Sequence, residues 1–460
     1  MKHFIILLFI LNLKAILAQD KIFTLRNFIN MVKQNHPMAA MANLQIDQAN
    51  AMVLAARGGF DPKIEGNLSE KNFANKEYYN QFNAQFKIPT WYGIEIKSAF
   101  ENNRGIYLNP ENLTTNPNGI YSLGIEIPLG QGLLINKRMA DLRKAKTYQN
   151  LNQNLINQEV ALLLATAISS YITWFETHKE KQMYQKYLDN VTIRKKGIEK
   201  LVVQGDKPAI DTTEISINLT QRKLQLENAN LKFLKAQNMV NNFLWLNNEP
   251  IELQDNNVPE TNLVEQLEQI LELNKNVLNV INIQENPKIL AKQNKIQILE
   301  IEKKLNADLL KPTLNFNYNI LNNNVKWNQN FEQNNKFGLS FQMPLLLRKE
   351  RGNLKLSKLK MEEANYQLQF DSQNLQNKIK YQLQEVSSFK KQLKLSKENQ
   401  ELNQTMLYAE EKLFNYGESS LFLVNTRENN LVSAELNLIK SNANYCNAII
   451  NLFESQVFLP

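Results

Sequence analysis

The same order of features occurs twice in this chain, and that repetition limits what it can fold into. Asn35-His36-Pro37 opens an amphipathic run that closes at Phe60-Asp61-Pro62, and Asn286-Pro287 opens another that closes at Lys311-Pro312. Pro37 and Pro62 are 25 positions apart, as are Pro287 and Pro312. Each run leads into alternating, strand-like sequence that ends on an apolar-Pro-Leu step, Ile127-Pro128-Leu129 and Met343-Pro344-Leu345. Each step launches a very long helical pattern. A period near 250 residues is far beyond the roughly 20–50 of a solenoid repeat. It reads as an internally duplicated chain whose unit is helix, strands, very long helix.

Residues 1–18 carry a Lys2-His3 start, an apolar core from Phe4 to Leu13, and the small residues Ala15 and Ala18. That is the layout of a secretory signal peptide cut after Ala18; a retained anchor is the alternative, but the run is short of the roughly 20 apolar residues a spanning helix needs. No later apolar run approaches that length. Cys446 is the only cysteine, so an intramolecular disulfide framework is excluded, as is a lipidation cysteine after the signal. The 53 basic and 45 acidic side chains are dispersed, with no basic block interleaved with aromatics, and nucleic acid is not an expected partner. Only 14 glycines in 460 residues point to a mainly helical protein.

The strand-like segments alternate strictly. Leu314, Phe316, Tyr318 and Ile320 alternate with asparagines; Phe337, Leu339, Phe341 and Met343 with Gly338, Ser340 and Gln342. Tyr121, Leu123, Ile125 and Ile127 form a third series, and Phe82 to Ile88 a fourth. Period two places one set on each face of a sheet. A soluble sandwich and an apolar-out barrel wall both fit residue by residue; the length of the intervening helices disfavours the sandwich. Aromatics gather near strand ends, notably Tyr78, Tyr79, Trp91, Tyr92, Tyr107, Tyr121 and Trp327, in the manner of an interfacial girdle. The loop signals Asn109-Pro110, Asn116-Pro117 and Asn118-Gly119, and the polar stretch from Asn322 to Asn335, mark candidate outer loops. The first strand region spans 66 positions between Pro62 and Pro128 and the second 32 between Pro312 and Pro344. The first therefore has room for an additional hairpin near Tyr79 to Phe100.

Pro128 to Gly205 and Pro344 to Gly417 contain no internal proline and cover 77 and 73 positions, roughly 110 Å if continuously helical. Ile156, Val160, Leu163, Ala167, Tyr171 and Trp174 make an apolar stripe at helical spacing. Ile379, Val386 and Leu393 recur every seven residues, with Leu375 on the same seam, which is coiled-coil spacing. Gly205 and Gly417 end these runs, and return helices start near Ile210 and, behind the N-cap Ser420, at Leu421. Each half thus holds a long helical hairpin. The division is signal peptide 1–18, first repeat 19–246 with strands within 62–128, connector 247–276 broken by Pro250 and Pro259, and second repeat 277–460 with strands within 312–344.

Chemistry is not written into the chain. His3, His36 and His178 are its only histidines, and no His/Cys cluster has metal-ligand spacing. There is no Gly-rich phosphate loop or nucleophile elbow. No catalytic residue, metal or cofactor is expected, and the protein is not read as an enzyme.

The ordered Asn-Pro openings at 35–37 and 286–287, the strand-entry prolines Pro62 and Pro312, and the Pro-Leu steps at 128–129 and 344–345 resemble the TolC-like family of outer-membrane efflux and secretion channels. The stretch YGESSLFLVNTRENNL, Tyr416 to Leu431, and ANYCNAIINL at 443–452 carry the likeness further. The resemblance covers about Thr24 to Leu452. It implies a homotrimer in which each copy gives four strands to a shared β-barrel, continued by a long periplasmic α-helical barrel of coiled-coil helices, in contact with outer-membrane lipid. It implies a passive exit duct of a tripartite efflux or type I secretion system, with a periplasmic adaptor (membrane-fusion) protein and an inner-membrane pump of RND or ABC type as partners. A periplasmic structural or adhesive coiled-coil protein is the rival from another class; a heavy-metal efflux outlet is the same machine with another cargo, for which the 11 dispersed methionines give no cluster.

By the same resemblance the turns carrying Gly205, Asp206 and Lys207, and Gly417, Glu418 and Ser419, form the periplasmic tip that meets the adaptor. A constriction is expected on the helices just beyond. Asp211 and Glu214, three apart and on one helix face, are the acidic candidates, although first-turn carboxylates also suit the helix dipole. Phe422 and Leu423 are the apolar alternative.

Overall fold

The computed structural model describes residues 21–105, 115, 118–254, 256–271, 283–323 and 334–457. The signal-peptide reading, Tyr107, Trp327 and most of both candidate outer loops lie outside the described residues. The elements in order are β1 (Lys21–Phe23), α1 (Leu25–Asn35), α2 (Pro37–Arg57), β2 (Lys63–Phe73), β3 (Lys76–Pro89), β4 (Glu95–Arg104) and β5 (Ile120–Pro128). The helices α3 (Lys137–Val203) and α4 (Ile210–Asn241) follow, then the short strands β6 (Trp245–Leu246), β7 (Glu249–Pro250) and β8 (Asn257–Pro259), and α5 (Leu263–Ile270). The second half holds α6 (Pro287–Asp308), β9 (Thr313–Asn322), β10 (Asn335–Gln342), α7 (Arg348–Asn415) and α8 (Leu421–Gln456). The order helix, strands, long helix, return helix thus appears in both halves. The long helices run unbroken for 67 and 68 residues, about 100 Å each.

The chain divides into two compact units, and each draws on both halves of the sequence. One comprises residues 1–43, 156–287 and 372–460; the other comprises 44–155 and 288–371.

In the first unit, α1 starts where Thr24 Oγ1 accepts the Asn27 N–H (3.3 Å) and buries Leu25, Phe28, Ile29 and Val32. It stops at His36, which is extended (φ −69°, ψ 133°) because Pro37 follows. Its apolar stripe packs with Leu164, Ile168, Tyr171 and Trp174 of α3, Val240 of α4, and Cys446, Ile449 and Phe453 of α8. The Tyr171 hydroxyl donates to the Phe23 carbonyl (2.5 Å) and accepts from the Glu260 N–H (3.2 Å), beside the parallel pairing of β1 with β8. This part of α3 is apolar and long enough to cross a membrane by composition, contrary to the expectation that no such run follows residue 18. Its stripe instead lies in the core, so tertiary packing accounts for the apolar character. Two further clusters continue along the helices: Met183, Tyr187, Ala229, Val424 and Leu431, then Val191, Ile198, Ile215 and Leu421.

The second unit is built on a single six-stranded sheet with order β10-β9-β5-β4-β3-β2, every neighbouring pair antiparallel. The hairpin expected near Tyr79 to Phe100 is present as β3 and β4. The sheet thus has six strands, where the resemblance implies four from each copy. The cause is the long first strand region, where β2, β3, β4 and β5 all pair in one sheet.

Candidate functional site

The two helical turns close with the same hydrogen-bond pattern. After α3, the Gly205 N–H donates to the Val202 carbonyl (3.1 Å) and the Asp206 N–H to the Leu201 carbonyl (2.9 Å), with Gly205 at φ +82°. After α7, the Gly417 N–H donates to Phe414 (3.1 Å) and the Glu418 N–H to Leu413 (2.9 Å), with Gly417 at φ +79°. Both are Schellman motifs, in which a left-handed residue satisfies the last carbonyls of the helix, and glycine takes that conformation without a Cβ penalty.

The structure brings the two turns together. Lys207 Nζ lies 4.7 Å from the Phe414 ring centroid. Ser420 caps α8 by accepting the Leu423 N–H at 3.3 Å, and the Ser419 hydroxyl donates to Glu410. Gly205, Asp206, Gly417 and Glu418 are exposed, whereas Lys207 and Ser419 are half-buried. Of the constriction candidates, Phe422 and Leu423 are exposed. Asp211 and Glu214 are half-buried, and Glu214 Oε1 accepts from Asn425 Nδ2 at 2.8 Å.

Beyond Asn425 lies a polar network that the sequence reading did not single out. Asn218 donates to Asn425 (3.0 Å), and Arg194 Nη2 pairs with Glu428 Oε2 (2.8 Å) and Glu411 (3.2 Å). Arg222 Nη2 pairs with Glu428 Oε1 (3.2 Å) and donates to Asn429 (2.7 Å). A signal was present. Arg222 is in phase with Ile215, Ala229 and Ala236 on the buried side of α4, and Glu428 with Leu421, Val424 and Leu431 on that of α8. A charge on an apolar stripe at helical spacing demands a buried partner.

The sheet has two consistent faces. In register, Phe341 meets Leu314, Leu339 meets Phe316, and Phe316 meets Ile127. The apolar series continues through Ile125–Ile96, Ile96–Ile88, Phe86–Ile64 and Phe82–Leu68. The opposite face carries Ser340, Asn315, Asn317, Glu126, Lys97, Lys87 and Glu65. Several of its charges are paired: Lys87 with Glu65 (2.6 Å), Lys97 with Glu126, and Glu95 with Arg138 of α3 (2.8 Å). On the apolar face Ile64, Leu68, Phe337, Leu339 and Phe341 are each more than 60 % exposed. An apolar face of this kind suits contact with lipid, and the polar face suits contact with water.

The comparisons with known proteins agree with this geometry. Residues 281–455 match the family model described as outer membrane efflux protein. The Campylobacter jejuni CmeC outer membrane channel superposes with a TM-score of 0.65 at 12% identity, covering 94% of this chain and 86% of that one. The outer membrane protein VceC from Vibrio cholerae gives 0.64 at 10% identity, covering 94% and 95%. The open-state MtrE outer membrane channel of Neisseria gonorrhoeae gives 0.63 at 11%, covering 94% and 88%. No curated protein matches in sequence. The match of residues 281–455 lies in the second half of the chain, and over nearly its whole length the chain shares the fold of these outer membrane channels.

Proposed function

We propose that this protein is one subunit of a homotrimeric outer-membrane channel, the passive exit duct of a tripartite efflux or type I secretion system. The observation that carries the reading is the sheet: six strands, one face apolar and exposed, the other polar and crossed by the Lys87–Glu65 and Lys97–Glu126 ion pairs. A periplasmic coiled-coil protein would have no use for such a face. Trimerisation is supported by α4, where Ile210, Ile217, Leu224 and Leu231 recur every seven residues, each more than 60 % exposed. A heptad row of that kind requires a neighbouring helix, and a second copy of the chain supplies one. The sheet sits in the outer membrane, the helical hairpins line a periplasmic passage, and the Gly205 and Gly417 turns meet a periplasmic adaptor coupled to an inner-membrane pump. Transport along such a duct needs no chemistry of its own.

Fractionation and reconstitution test this. The protein is expected in the outer-membrane fraction, to need detergent for extraction, to have the mass of a trimer, and to conduct ions in planar bilayers. Recovery as a soluble periplasmic species would overturn the reading in favour of a coiled-coil scaffold.

A further inference from the structure

Building on that trimeric reading, we infer that all six strands of each copy enter the wall and that three copies close an eighteen-stranded barrel through β2 and β10. The sheet ends at two strands unpaired on one side, β2 (Lys63–Phe73) and β10 (Asn335–Gln342). Open edges are not tolerated in hydrocarbon, because no water is there to satisfy the unpaired N–H and C=O groups. Six strands are below the minimum of about eight for a closed barrel, so one copy cannot satisfy its own edges.

The outer strands qualify as wall strands by the same criteria as the inner ones. Apolar and polar positions keep to their faces through β2 and β3: Ile64 and Leu68 lie beside Phe86 and Phe82, and Glu65 and Asn67 beside Gln85 and Asn83. If the β2–β3 pair folded away as an extramembrane flap, the exposed Ile64 and Leu68 (83% and 67%) would have no reason to continue the apolar series. Strand lengths of 8 to 14 residues bracket the roughly 9–11 of a tilted spanning strand.

Direction decides that the edges fit one another. All five pairings are antiparallel across six strands, so β2 and β10 run opposite ways. β2 of one copy can thus pair antiparallel with β10 of the next, keeping the alternation and the two faces unbroken around the ring. Three copies of six strands give an even, fully antiparallel wall. Its strand number falls at the upper end of the 16–18-stranded barrels that leave an open aqueous channel, so the outer-membrane part is wide and the restriction on passage lies elsewhere.

Disulfide scanning tests this in a Cys446→Ala background of the full chain, purified from the outer membrane. Asn67→Cys or Ser69→Cys on β2 is combined with Lys336→Cys, Gly338→Cys or Ser340→Cys on β10. The same β10 positions are combined with Ala99→Cys or Glu101→Cys on β4 for comparison. Covalent trimers from at least one β2–β10 combination, and none from β4–β10, are expected. A protein that is trimeric by mass but cross-links through β4 and β10, or through neither set, overturns the eighteen-stranded wall and leaves the trimer standing. A mass other than that of a trimer overturns the trimeric reading and this inference with it.

Discussion

Arg222 and Glu428, 206 positions apart in sequence, form an ion pair of 3.2 Å in which both side chains are only 1% exposed. The pair ties α4 to α8, the return helices of the two halves, and Arg194 brings in α3 through its 2.8 Å contact to the same carboxylate. A buried pair of this kind is costly to desolvate, and its removal one partner at a time is costlier still.

Glu428→Gln leaves two guanidinium groups facing a neutral amide, and is expected to lower stability by about 3–5 kcal/mol. Combining Glu428→Leu with Arg222→Met is expected to cost less than the sum of the two single changes, because neither charge is then stranded at that pair. Thermal denaturation of the detergent-solubilised protein, read as a double-mutant cycle, checks this. Strict additivity would show that the pair is not coupled.

The wall makes an opposite prediction for its two faces. Phe341→Arg, on the exposed apolar face, is expected to cost about 2–4 kcal/mol at mid-membrane depth. Ser340→Arg, one position away on the polar face, is expected to insert and assemble normally. Heat-modifiable migration of outer-membrane preparations separates the outcomes. Equal behaviour of the two variants would reverse or abolish the face assignment.

Much of this arrangement was legible from the residues. The proline-bounded order, the alternation of Leu314 to Ile320 and Tyr121 to Ile127, and the glycines ending the long helices all act locally, through backbone restriction and period. β2 was harder to see, because Gly66 and Glu70 interrupt its Ile64–Leu68 series and it gains strand character only by pairing with β3. The Arg222–Glu428 network was missed for a different reason. Each charge looks like surface until the stripe it belongs to is placed against another helix, and that is a tertiary fact.

The turns should respond to backbone chemistry before they respond to side chains. Gly205→Ala and Gly417→Ala place a Cβ at φ near +80°, with an expected cost of roughly 1–2 kcal/mol each. Gly→Asn at the same positions is expected to recover part of it, since asparagine tolerates the left-handed region. Open space surrounds both glycines, so conformation and not crowding sets the penalty. Under the proposed docking, Lys207→Cys and Glu418→Cys should cross-link to the adaptor in intact envelopes. Efficient labelling of either by an impermeant reagent outside intact cells would place the turns on the wrong side.

The constriction is the most demanding test, because two chemistries compete for it. Asp211 lies in the first turn of α4, where a carboxylate is favoured by the helix dipole, and Glu214 already accepts a hydrogen bond from Asn425 at 2.8 Å. In a trimer these become six carboxylates around one axis, a field that favours cations. Asp211→Asn with Glu214→Gln keeps size and, at Glu214, an oxygen that can still accept from Asn425. The double variant is expected to lose most of the cation preference in planar bilayers, and Asp211→Asn alone is expected to account for more of the loss than Glu214→Gln. Phe422 and Leu423, both exposed, offer the apolar alternative, in which Phe422→Ala raises conductance without changing selectivity. An unchanged reversal potential in the double variant, together with raised conductance in Phe422→Ala, would move the constriction from the acidic pair to the apolar one.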